Sequence, residues 1–229
     1  MIKTVLLFIN LTLAIAQTPD ERGYIIKVGD NLPEFVMDFP DGSQINSVDL
    51  LGNVTMLQFT ASWCSVCREE MPHIEKEIWK IYKNIGINVI GIDRDEPAEI
   101  VEKFAKEIKV TYPIALDPRA DIFALFADRN SGVTRNIIID TDGKIKFLTR
   151  LFDPKEYLEM KRVIHGLLEN QFLEEKQTLV AQKQILKELK HKRTTDQNIS
   201  TKNIEQKLFL LERRLNLKGR RLSYAEKLL

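Results

Sequence analysis

Cysteine is nearly absent: the 229 residues contain two, Cys64 and Cys67. Small secreted domains held by disulfides use more pairs at wider spacings. Closing so short a loop would restrain little chain entropy, so the pair points to chemistry more than to scaffolding. Histidine is almost as scarce, at three residues. His73, His165 and His191 show no ligand spacing with one another or with the cysteines, so neither a metal site nor another cofactor is expected. Charge of one sign is missing too. The formal net charge is +1, which gives no overall pull toward nucleic acid or membrane. Long apolar runs are also lacking. The one near the N-terminus is short and broken by Asn10 and Thr12, too little for a comfortable membrane span.

What is present is enough hydrophobic residue, 44%, to bury a core. The length suits one domain plus an appendage. The near-neutral total hides an asymmetry. From Gln171 to Leu229 there are 14 Lys/Arg against 7 Asp/Glu, so a basic tail follows an acidic body. At the start, Lys3 precedes the apolar run and Ala14-Ile15-Ala16 offers a small-x-small cleavage signal. A secretory signal peptide over 1–16 is expected, hence a periplasmic or otherwise exported protein, with an uncleaved anchor as the alternative. Gln17, not a cysteine, would follow the cut, so no lipid attaches there.

The patterning predicts a linker over 17–27, a domain over 28–170 and a basic helical extension over 171–229. Within the domain, Pro40-Asp41-Gly42 marks a hairpin turn between two short strands. Val54–Thr60 and Ile87–Ile92 read as buried strands. Helical periodicity starts near the cysteines and runs to Gly86. Pro97–Ile108 reads as a helix with Ile100, Val101 and Phe104 inward, and Arg119–Ala127 as a short one. Residues 136–148 form a hairpin about Thr141-Asp142-Gly143. A last helix opens at Asp153-Pro154, with Tyr157, Met160, Val163, Ile164 and Leu167 on its inner side. This order describes an α/β domain: a mixed sheet with helices on both faces. In the extension, Gln171–Lys192 can prolong the last helix. Thr194–Thr201 is a polar break. Ile204, Leu208, Leu211 and Leu215 recur at helical spacing, with Gly219 as a stop. The extension reads either as a self-associating or partner-docking helical arm, or as a solvated, frayed end. Its basic residues suit an acidic partner or anionic lipid headgroups.

The stretch Trp63-Cys64-Ser65-Val66-Cys67 leaves a strand and opens a helix. A thiol at a helix N-terminus faces free N–H groups and the positive end of the dipole, which favour thiolate. Cys64 is therefore expected to attack and Cys67, one turn on, to resolve. Trp63 would shape the surface that meets substrate, or simply pack.

These residues, with others from Val28 to Leu168, resemble the TlpA/ResA branch of the thioredoxin superfamily. Pro33-Glu34-Phe35, Asp41-Gly42 and Asp49-Leu50-Leu51-Gly52 resemble its leader into the central strand. Glu70 and Pro72 match its E-x-P, Tyr112-Pro113 and Asp117 its next link, and Ile139-Asp140 with Gly143-Lys144 its last hairpin. The resemblance implies a thioredoxin-like fold, preceded here by an N-terminal hairpin and followed by a helical tail. It implies thiol–disulfide oxidoreductase activity on disulfide-bearing or dithiol proteins, fed by an upstream electron donor, with no nucleic acid. Glu70 would be the acid that modulates the dithiol; otherwise it is a surface glutamate beside Glu69. Gln58 stands where thioredoxins carry a buried Asp and cannot take its proton role. Thr134 stands where the family has a cis proline; a non-proline cis bond costs about 3–4 kcal/mol, which favours trans. Val133, Thr134 and Arg135 are candidates to line the substrate edge. Arg135 would also lower the Cys64 pKa, or serve as a plain β-edge residue. Two other classes stay open. A peroxiredoxin-like peroxidase needs a Thr where Ala61 stands. A non-catalytic scaffold would bind a partner through its tail.

Overall fold

The computed structural model describes residues 18–191 and 198–229. The expected signal peptide, and positions 194–197 of the expected polar break, lie outside them. Seven strands form one sheet in the order β2-β1-β5-β4-β3-β6-β7: β1 Val36–Asp38, β2 Gln44–Asn46, β3 Val54–Thr60, β4 Ile87–Arg94, β5 Ile114–Asp117, β6 Arg135–Ile139 and β7 Ile145–Arg150. The central trio β5-β4-β3 is parallel; the β1–β2 hairpin and the β6–β7 hairpin flank it antiparallel. Every residue of β3 is buried, as expected of a strand covered on both faces, and its polar members Thr55, Gln58 and Thr60 are buried with the rest.

Helix α1, Ser65–Ile74, contains Pro72. A proline there removes an N–H and crowds the carbonyl four residues back. Just beyond it the helix widens into a π turn, Glu75–Trp79, before closing with α2, Lys80–Tyr82. Helix α3, Ala98–Ile108, starts one residue after Pro97, which caps it. Val101 and Phe104 face the core as expected, but Ile100 is exposed. The expected helix over 119–127 shrinks to a 3₁₀ turn, Phe123–Leu125, fixed by Asp117, whose carboxylate accepts from the N–H groups of Ile122 and Phe123.

Residues 18–27, expected as linker, pack against the body. Tyr24 is 2% exposed, bridges to Ala127 and donates its hydroxyl to the Thr149 carbonyl. The expected boundary at 170 falls inside one continuous helix, α4, Pro154–His191. Helix α5, Asn198–Glu226, returns against α4 through Leu179, Leu186, Leu208 and Leu215. Its end places Leu222 and Ala225 in the main core. Gly219 does not stop the helix. A Cβ there would stand 2.8 Å from the Phe172 ring, so glycine is what allows α5 to approach α4. The intramolecular hairpin, not a frayed end, is what these leucines build.

Candidate active site

The strand-to-helix junction after β3 holds the dithiol. Cys64 is the N-cap of α1, in extended backbone conformation, and its Sγ accepts from the Cys67 N–H at 3.2 Å. The two cysteines form a disulfide, with Cα atoms 5.3 Å apart. Cys64 is 8% exposed and Cys67 is fully buried, so Cys64 is the more accessible of the two. The loop before them is anchored at Ser62. Ser62 donates its N–H and hydroxyl to the two oxygens of Glu96, and its carbonyl accepts from Arg68 Nε at 2.7 Å. Trp63, next to this anchor, is 61% exposed.

Thr134 closes the site from the other side. It is buried, and its hydroxyl lies 3.1 Å from Cys64 Sγ and 3.3 Å from Cys67 Sγ. No cis peptide occurs among the described residues, so the Val133–Thr134 bond is trans. Val133 is buried beside it. The Thr134 carbonyl accepts from the Leu151 N–H and from Arg150 Nη1, tying this turn to the end of β7.

Beneath the dithiol lies a polar network inside the apolar core. Glu70 is 1% exposed, not on the helix surface. Asn136 Nδ2 donates to its Oε1 at 2.6 Å and Gln58 Nε2 to its Oε2 at 3.1 Å. The Tyr112 hydroxyl donates to Gln58 Oε1, and Asn136 Nδ2 also meets the Thr149 hydroxyl. Burial pushes the Glu70 carboxyl up to about 7, against the opposing pull of the Asn136 and Gln58 hydrogen bonds. Strand alternation assembles this set. Gln58 and Asn136 are directly paired across β3 and β6, so both point to the face that α1 covers.

The same alternation sends Arg135 to the opposite face. Its register partner is Phe59, and its guanidinium stacks 4.4 Å from the Tyr24 ring centroid while Nη2 donates to Ser131 Oγ. Arg135 is fully buried, with Nε and Nη1 unpartnered among the described residues. Its strand is interior, between β3 and β7, so it is not a β-edge residue.

Sequence reasoning gave no site role to Asn136, Tyr112, Asp93 or Glu96. A polar residue within the apolar run of β6 was the available signal for Asn136. Asp93, next to last in β4, sits beside Thr60 of β3, fully buried, with neither carboxyl oxygen hydrogen-bonded among the described residues. Burial and the nearby Glu96 carboxylate raise it to about 8. Of the histidines, His73 pairs with Glu77 on the surface, and His165 is buried against the Tyr82 hydroxyl. Among the described residues no cluster of three or more His, Cys, Asp or Glu is placed to hold a metal.

Residues 28–148 match the model of the AhpC/TSA family. The chain belongs to that family. Within it, the chain resembles thiol–disulfide oxidoreductases named ResA. It is 31% identical over 120 residues to one from Bacillus cereus, covering 52% of this chain and 68% of the relative. It is 30% identical over 143 residues to that of Bacillus thuringiensis subsp. konkukian, covering 60% and 81%. Among solved structures, it resembles a Bacteroides thetaiotaomicron protein provisionally named a protein disulfide isomerase: TM-score 0.63, 52% identity, 64% of this chain and 93% of the other. A Chlorobium tepidum protein, provisionally a thiol:disulfide interchange protein DsbE, gives a TM-score of 0.56 at 26% identity, covering 62% and 99%. With the Cys64–Cys67 pair at the helix start, this AhpC/TSA member is a thiol–disulfide oxidoreductase with a thioredoxin-like fold.

Proposed function

We propose that the chain works as an exported reductase of protein disulfides, with Cys64 attacking and Cys67 resolving. The observation that carries this reading is the placement of Cys64 as the partly exposed cap of α1, with Cys67 buried behind it. In the reduced protein the Cys64 thiolate would be favoured by the helix N-terminus, the Cys67 N–H and the Thr134 hydroxyl. It attacks one sulfur of a substrate disulfide, forming a mixed disulfide and releasing the first substrate thiolate. Cys67 then gives up its proton and attacks Cys64 Sγ, releasing the second thiolate and leaving the Cys64–Cys67 disulfide. Two electrons pass to the substrate, and a donor dithiol must return them for the next cycle. Glu70 follows Cys67 by one helical turn. With a carboxyl near half-protonation at neutral pH, it is suited to take the Cys67 proton by way of water.

Trp63, which is exposed, offers the surface a substrate would meet, whereas Val133 and Thr134 are buried and back the dithiol. Arg135 acts from beneath, bracing the Ser131–Thr134 turn through Ser131, since its guanidinium faces Tyr24. The domain is taken as 28–170 with the extension 171–229, and residues 18–27 of the expected linker as a packed lead-in. Export rests on the N-terminal pattern of Lys3, apolar run and Ala14-Ile15-Ala16. Among the described residues no helix is long and apolar enough to cross a membrane.

The test is trapping. Cys67→Ala should accumulate a mixed disulfide between Cys64 and a disulfide peptide, and Cys64→Ser should give none. Adducts on Cys67 in the Cys64→Ser protein at the same rate would reverse the assignment.

A further inference from the structure

We infer that the outer face of α5 is a docking surface for an anionic lipid bilayer, independently of the dithiol reading. The helix has two unlike faces. Leu208, Leu215 and Leu222 recur every seven residues and are buried against α4 and the body, so the orientation of α5 is fixed. On the opposite side a second heptad series, Leu210, Leu217 and Tyr224, continues to Leu228. These are 56%, 42%, 63% and 48% exposed. At about 100° per residue Leu210, Leu217 and Tyr224 fall on one line, on the order of 21 Å long at 1.5 Å per residue, and Leu228 follows in the turn after the helix. Phe209, also exposed, adds a second aromatic at its margin.

Charge frames this stripe on both sides. Helical spacing puts Arg213 and Arg220 along one flank and Arg214 and Arg221 along the other. Arg213 lies over the Phe209 ring and Arg221 donates to the Asn84 carbonyl. No carboxylate among the described residues pairs with Arg213, Arg214 or Arg220. The three acids of α5, Glu205, Glu212 and Glu226, all fall on the half of the helix that carries Leu208, Leu215 and Leu222, and Glu212 is occupied by Lys183. The outward half therefore has apolar and aromatic side chains, cations and the neutral Asn203 and Gln206, and no acid.

An apolar line with arginines on both margins complements a plane of negative charge. The side chains of the line enter the headgroup region, while the arginine stems lie along it and their guanidiniums meet phosphates. Aromatic residues at that depth suit the interface. A second copy of this chain fits worse, because pairing like faces would bring arginine flanks together.

The experiment is flotation of the purified full chain with vesicles of phosphatidylcholine, with and without phosphatidylglycerol. Binding is expected only with phosphatidylglycerol, and should fall steeply between about 0.05 M and about 0.5 M salt. Arg213→Gln and Arg220→Gln should each weaken it roughly fivefold. Leu210→Ser with Leu217→Ser should weaken it further. All four positions are exposed, and an unchanged circular dichroism spectrum and melting temperature would verify folding. Equal binding to neutral vesicles, or full binding by the Arg213→Gln/Arg220→Gln protein, would overturn the inference. So would a concentration-dependent dimer that the leucine substitutions dissolve, which would assign the face to a second copy. Binding to polyglutamate that matches the vesicles and ignores the leucine substitutions would assign it to an acidic protein.

Discussion

Glu70→Gln probes the buried network most sharply, because the structure sets both the sign and the size of its effect. Glu70 is 1% exposed, and burial pushes its carboxyl from an ordinary 4.5 to about 7. Between those values the folded protein keeps a proton that the unfolded chain has released. Stability is therefore complete below about pH 4.5 and is lost as pH rises through about 7. At about 1.4 kcal/mol per pH unit, the loss across that window is roughly 3 kcal/mol. Glutamine has no proton to surrender. Its amide also has a ready acceptor, since Asn136 Oδ1 is buried without a hydrogen bond to any described residue. Urea denaturation of the oxidised protein, followed from about pH 4.5 to about pH 8.5, compares the two proteins at each pH. The stability difference should move by roughly 3 kcal/mol in favour of Glu70→Gln across that range, with the slope ending near pH 7. Contributions from other titrating groups cancel in the difference where they do not couple to Glu70. A difference constant to within about 0.5 kcal/mol would refute a raised Glu70, and with it the proton role.

Two further outcomes follow from the same packing. Thr134→Val keeps the shape of the side chain but removes the hydroxyl shared by both sulfurs. A hydrogen bond to a charged group contributes about 1.5–3 kcal/mol, so the apparent Cys64 pKa should rise by about one to two units, read from alkylation rate against pH. An unchanged profile would remove Thr134 from thiolate stabilisation. Asp93→Asn should flatten a second pH dependence. Asp93 is raised to about 8, so its contribution falls as pH climbs from about 4 to about 8. The variant should gain on the native protein over that window in thermal melts, and parallel melting curves would argue that Asp93 is ionised throughout.

Much of this was legible in the sequence because local pattern and global packing agree. The apolar runs of β3 and β4, the Asp41-Gly42 and Asp142-Gly143 turns and the Cys64-x-x-Cys67 helix start all point to the same sheet and the same site. The rest depended on which side of a strand a residue faces. Arg135 and Asn136 are neighbours in sequence, yet one meets Tyr24 and the other Glu70, because register with Phe59 and Gln58 sends them to opposite faces. Glu70 looked equally suited to a surface or a buried role beside Glu69. Only the partners on β3 and β6, distant in sequence, decide it. Gly219 misled for the opposite reason: a glycine near a helix end usually stops it, but here it admits the Phe172 ring.

The central claim is that Cys64 and Cys67 are a reversible redox couple that reduces protein disulfides. The most direct test is its equilibrium reduction potential, measured by thiol trapping in graded redox buffers. The account predicts a two-electron transition between dithiol and intramolecular disulfide, at about −270 mV or lower, as for thioredoxin. A potential near about −120 to −180 mV would reverse the direction of electron flow, and failure to form the intramolecular disulfide would contradict the mechanism itself.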